Sequence, residues 1–191
     1  MSQKLLLFTP PFTQLNTPYP ATAYLKGFLN TKQISAFQVD LGIEVILELF
    51  SAEGFRALFQ EIAQKTPELS DNSRRIVSLQ KEYIKTIDKV IAFLQDKNPT
   101  LAHVICEGSY LPEASRFEQL DDLEWAFGSM GTRDKARHLA TLYLEDISDL
   151  IVEALDPHFG FSRYAERLGR SANSFDELNE ELQKPDTFID K

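Results

Sequence analysis

The sequence predicts an α/β chain: a small parallel βαβ start followed by a predominantly helical region. Three observations predict it. Lys4-Leu5-Leu6-Leu7-Phe8-Thr9 is a continuous apolar run stopped by Pro10-Pro11, the form of a strand buried in a parallel sheet. Ser35 to Val39, ending at Asp40, is a second strand-like run, and one helical stretch separates the two. Beyond Asp40, apolar residues recur at three- and four-residue steps for most of the remaining length. Residues 1–42 therefore read as a partial βαβ unit, and 43–191 as a helical region packed with it as one domain, which suits a chain of 191 residues.

The elements follow in order. Phe12 to Pro20 is rich in turn residues. Thr17 then caps, and Pro18 opens, a helix running through Tyr24, Leu25, Phe28 and Leu29. Leu41 to Phe50 and Ser51 to Lys65 are helical, the latter with Phe55, Leu58, Phe59 and Ile62 on one face. Pro67 breaks that run. Asp71 or Ser73 starts a long helix through Ile76, Leu79, Tyr83, Ile87, Val90, Ile91 and Leu94 to Asp96. Thr100 caps a short helix through Cys106, and 108–131, with Gly108, Pro112, Gly128 and Gly131, is less regular. Thr132 opens a helix to about Leu155, Ser162 caps a short one to Leu168, and Ser174-Phe175-Asp176-Glu177 is a capping box for the last, to about Gln183. Helix is expected over about 60% of the chain, against the usual third.

Composition narrows the function. Hydrophobic residues make up 43% of the chain and Phe occurs 14 times, so a core filled by aromatic side chains is expected. A single cysteine, Cys106, excludes an internal disulfide framework and a Cys-rich metal site. The net charge of −9 disfavours nucleic acid and anionic membranes. The early apolar run is too short for a signal segment or a membrane span, which leaves the cytoplasm as the expected location.

The loop after the first strand is the leading site. Open α/β sheets bind ligands beyond the carboxyl ends of their strands, where Thr9, Thr13, Gln14, Asn16, Tyr19 and Asp40 should gather. The alternative is that these residues only form turns and caps. His103 and Cys106 stand three apart on a helix, but two ligands do not make a metal site, and a partly buried pair is the plainer reading. His138 and His158 bracket the helix from Thr132. Arg116, Arg133, Arg137, Arg163, Arg167 and Arg170 could form an anion surface around Trp125, or salt-bridge with Glu118, Asp121, Asp122, Glu124, Glu145 and Asp146, which is favoured. Paired acids such as Glu145-Asp146 read as solvated helix faces. Walker, Gly-x-Gly-x-x-Gly, His-Glu-x-x-His and Gly-x-Ser-x-Gly motifs are absent.

The run from Lys4 to Thr22, with Tyr24-Leu25-Lys26-Gly27-Phe28-Leu29 and Asp40-Leu41-Gly42, resembles the N-terminus of cobalamin-binding-domain radical SAM proteins. Trp125 to Gly131 and Asp156 to Tyr164 resemble one branch of that group. The resemblance implies a Rossmann-like, cobalamin-binding-type βαβ unit. It also implies S-adenosylmethionine and a 4Fe–4S cluster in a C-terminal radical SAM domain as partner. The chain departs from the family in lacking the Cys-x-x-x-Cys-x-x-Cys triplet and the Asp-x-His-x-x-Gly motif of the axial cobalt ligand. The expectation is thus a non-catalytic N-terminal fragment holding no cofactor tightly, with cobalamin left open, that shapes substrate or cofactor access. The alternative is a stand-alone helical interaction module on a βαβ scaffold. Strand 4–9, read as buried on both faces, would need a neighbour beyond 35–39, so a homodimer or swapped pair is expected unless a helix covers its free edge.

Overall fold

A computed structural model describes residues 4–10, 20–122, 131–157, 159–161 and 174–189. The chain is α/β: a two-stranded parallel sheet followed by mostly helical structure. It divides into two compact units. The first comprises 1–47 and 160–186, and the second 48–159 and 187–191.

In the first unit, strand β1 (Lys4–Thr9) pairs in parallel with β2 (Ser35–Asp40), Lys4 opposite Ser35 and Thr9 opposite Asp40. Helix α1 (Pro20–Thr31) crosses between them, and in the turn beyond it Gln33, with a left-handed φ of 59°, leads the chain back into β2. Thr17 and Pro18, expected to start this helix, lie outside the described residues, as does the 162–168 helix. The Gln38 amide donates to Thr22 Oγ1 at 2.9 Å, which puts α1 on the sheet face carrying Gln38. Side chains alternate along a strand, so Leu5, Leu7, Thr9, Ala36 and Asp40 share that face. Lys4, Leu6, Phe8, Phe37 and Val39 occupy the other.

That second face corrects the expectation that strand 4–9 is buried on both sides. Leu6 is 62% exposed, Phe8 55% and Phe37 52%. An apolar run reports what a strand can bury, not that a layer is present to bury it. Among the described residues β1 has one neighbouring strand and one covering helix. The same holds for α1, whose Tyr24, Leu25 and Phe28 stripe also faces outward. Helix α2 (Leu41–Leu49) follows β2 without a loop, and the Asp40 carboxylate accepts from the Ile43 N–H at 3.2 Å.

The second unit has the chain's densest core. Helix α3 (Ala52–Lys65) starts at Ser51, whose hydroxyl accepts from the Gly54 N–H at 2.9 Å, while the Ala52 N–H goes to Asp88 Oδ1 at 2.8 Å. Phe55, Leu58, Phe59 and Ile62 are all buried, the face expected from their spacing. The single helix expected from 71 to 96 is two, α4 (Asp71–Ser78) and α5 (Gln80–Leu94), separated at Leu79. At this junction the Ser78 hydroxyl donates to the Arg75 carbonyl at 2.6 Å. The Leu79 N–H is left shared between the Arg75 and Ile76 carbonyls at 3.1 Å each.

Helix α6 (Leu101–Cys106), a 3-10 helix (Ser115–Asp122) and α7 (Thr132–Ala154) complete this unit. Helix α7 packs on α4, α5, α6 and the 3-10 helix and lays Leu139, Tyr143, Ile147, Leu150 and Ile151 into the core. Phe50, Phe55 and Phe59 form an edge-to-face series with centroids 5.5 and 6.3 Å apart, bearing out the aromatic core. Helix α8 (Phe175–Gln183), within the first unit, follows Ser174 as its capping sequence implies. Among the described residues no helix is long and apolar enough to cross a membrane.

Candidate functional site

The sheet edge singled out by the sequence is only partly within the described residues. Thr9 and Asp40 are register partners at the carboxyl ends of the two parallel strands. Thr9 is buried, and Asp40 is the capping acceptor for α2. Thr13, Gln14, Asn16 and Tyr19 lie outside the described residues. Asp40 thus performs the capping role weighed against ligand binding.

The other candidates divide in the same way. The Cys106 thiol donates to the Thr132 carbonyl at 3.3 Å, and burial pushes its pKa up, so it stays a thiol. His103, on the same helix, is exposed. His158 lies outside the described residues. Among the described residues no group of three or more His, Cys, Asp and Glu could hold a metal ion. Arg116 grips Asp149 with two bonds, 2.7 and 2.8 Å, and reaches Glu145 at 3.4 Å, which raises its pKa further. Arg133 and Arg137 converge on Asp96, whose pKa they lower. Salt bridging therefore accounts for these three arginines, though Asp96 and Asp149 are acids the sequence reading did not name. Trp125, Arg163, Arg167 and Arg170 lie outside the described residues.

The most unusual polar group is Asp146, expected on a solvated face and instead fully buried. Its Oδ2 accepts from the Ala114 N–H at 3.1 Å and its Oδ1 from the Arg116 N–H at 3.2 Å, so it fastens the start of the 3-10 helix to α7. Burial pushes its carboxyl up to about 6, against the opposing pull of those two backbone bonds. Nearby, the Tyr83 and Tyr143 rings stack at 5.0 Å. The Tyr143 hydroxyl donates to the Tyr83 carbonyl at 3.1 Å and lies 3.0 Å from Thr86 Oγ1. Burial, with the Asp146 charge second, raises the pKa of Tyr83. The hydroxyls of Tyr83 and Tyr110 are buried without hydrogen-bond partners among the described residues.

Beside this cluster runs an open groove of about 440 Å³, lined by Arg75, Ser78, Leu79, Ser109, Leu111 and Glu113. Its wall turns on two consecutive left-handed residues, Gly108 at φ 78° and Ser109 at φ 64°. Arg75 stands 3.6 Å from Glu118 and is half exposed. The groove is open and lined by one cation, one carboxylate and two hydroxyls beside Leu79 and Leu111. Sequence reasoning missed it because Arg75 and Glu113, far apart in the chain, line one groove only through the fold.

No protein-family model matches the chain, and no curated protein or solved structure matches it either.

Proposed function

We propose that this chain is a non-catalytic N-terminal part of a cobalamin-type radical SAM protein, in which a Rossmann-like βαβ unit docks against the partner domain and shapes access to it. One observation carries the reading: β1 and β2 pair only with each other among the described residues, so both outer edges of a parallel sheet are open. Two parallel strands are not a stable sheet alone, and open edges are templates for further strands. The single Cys106 supports a division of labour in which the cluster, and the cleavage of S-adenosylmethionine, belong to the partner domain. Thr9, Asp40 and the loop carrying Thr13, Gln14, Asn16 and Tyr19 then line the access edge.

Two experiments test this. Hydroxocobalamin titration followed by absorbance is expected to give a dissociation constant weaker than about 0.1 mM, less than roughly 5.5 kcal/mol of binding. Saturation at micromolar cobalamin would overturn the docking-only role. Sedimentation with a cobalamin-type radical SAM barrel encoded beside or in frame with this chain is expected to show a one-to-one complex. Free sedimentation of both components at about 0.1 mM would remove the proposal. The Arg75 groove favours a second reading, a helical interaction module, in which Arg75→Glu abolishes partner binding and changes at the sheet edge do not.

A further inference from the structure

One wall of the Arg75 groove is the segment carrying Ser109, Leu111, Pro112 and Glu113, and its two ends are built differently. At one end Gly108 and Ser109 both have left-handed φ, 78° and 64°. That region favours glycine, so Ser109 loses little by leaving it. At the other end three consecutive backbone N–H groups hold the chain down. Ala114 and Arg116 donate to the two oxygens of Asp146 on α7, and Ser115 donates to Asn72 Oδ1 at 3.0 Å. Asp146 is fully buried, and no cation is paired with it. The Arg116 guanidinium is engaged with Asp149 and Glu145 nearer the surface. The other ionisable groups around it are Asp149 on its own helix, a like charge, and Tyr83 on α5. The Tyr83 hydroxyl is buried without a partner among the described residues, and the Arg75 charge reaches it from α4.

We propose that residues 108–116 form a strap along the groove, pivoting on Gly108 and Ser109, that is latched while Asp146 is protonated and lifts more often once Asp146 is ionised. An ionised carboxylate in this setting is a charge held out of water, and lifting the strap is the shortest way to hydrate it. The carboxyl titrates at about 6 with the strap closed and returns to the ordinary carboxylate range with the strap lifted. The closed form therefore binds the proton more tightly. It is favoured most below about pH 4, and the lifted fraction grows about a hundredfold as pH rises to about 6. Lifting takes Leu111 and Ala114 out of the core, which keeps the lifted form a minority at every pH. The Arg75 groove is then more accessible at neutral pH than in acid. The strap belongs to the second unit alone and rests on neither reading of function given above.

Hydrogen exchange on the full chain between pH 4 and 8 tests the strap, each rate being corrected for the intrinsic pH dependence of amide exchange. Protection of the Ala114 and Arg116 amides should fall about a hundredfold from pH 4 to 7 and then level off. These two amides should also exchange at least about tenfold faster than those of α5 and α7, which open only with the whole unit. In Asp146→Asn the pH trend at Ala114 and Arg116 should disappear. Protection equal to that of α5 and α7 at every pH overturns the proposal, because the wall then opens only by global unfolding. So does protection that is flat or rises with pH in the wild type, or a trend that survives Asp146→Asn. Should that variant fail to fold, the wild-type series decides alone. Cobalamin and barrel binding are read separately, so none of these outcomes touches the docking reading.

Discussion

Asp146 stands three residues after Tyr143 and four before Leu150, inside the apolar phase of α7. Its neighbour Glu145 is one position off that phase. Taking the two acids as a solvated pair ignored the hundred degrees of rotation between them. Its titration has a definite sign. A folded-state value of about 6 lies above the usual 3.9, so the native state holds a proton that the unfolded chain releases between these values. The associated stability is complete below about pH 4, is lost as pH rises, and levels off above about pH 6, a change of about 3 kcal/mol. Urea melts of the wild type and Asp146→Asn should show that difference accumulating between pH 4 and 7. A pH-independent difference would contradict it. Gly54 makes a second case. Alanine is the better helix former, but a Cβ here collides with the Glu48 and Leu49 carbonyl oxygens, which are backbone and cannot swing away. Gly54→Ala should therefore destabilise by about 1–3 kcal/mol in the same melts, opposite to the propensity scale.

At the scale of elements, the sequence was informative wherever a helix shows one apolar face to one core. The stripes of α3 and α7 are buried in the phases read from spacing, and that of α5 at Tyr83, Ile87 and Val90, whereas Ile91 and Leu94 are half-buried and Phe93, outside the phase read, is fully buried. It was least informative at the Leu79 junction between α4 and α5, where neither proline nor glycine marks the break. It was silent on the absent second layer over β1, because burial on both faces and exposure of an apolar face require the same residues. It was silent too on caps supplied from far along the chain. The Glu153 carboxylate accepts from the Ser70 N–H and from the hydroxyls of Ser70 and Ser73, tying the start of α4 to α7 over some eighty residues. Burial alone would raise the Glu153 pKa; these bonds outweigh it and hold it low. Glu153→Ala should cost about 1–2 kcal/mol, and Ser51→Ala, which removes the α3 cap, about 1 kcal/mol. The two changes should add, because they act on different helices.

At the scale of the molecule, the two units differ in how much backbone they protect. The second buries whole faces of α3, α5 and α7, whereas α1 buries only Thr22, and Thr9 is the one buried residue of β1. Hydrogen exchange should accordingly find the amides of β1, β2 and α1 exchanging through local openings, and those of α5 and α7 only through global unfolding. Equal protection in both units would refute this.

The stacking of Phe50 on Phe159, ring centroids 6.4 Å apart, has a consequence for synthesis on the ribosome. The first unit is split in the chain, 1–47 and 160–186, with nearly all of the second lying between. Joining the two parts through an unfolded loop of that length would cost about 4 kcal/mol of chain entropy. Phe50 and Phe159 stand at the two ends of the intervening segment, and once the helical body has folded they are in contact. The long loop has then become a short one. The N-terminal segment, made first, is thus completed last.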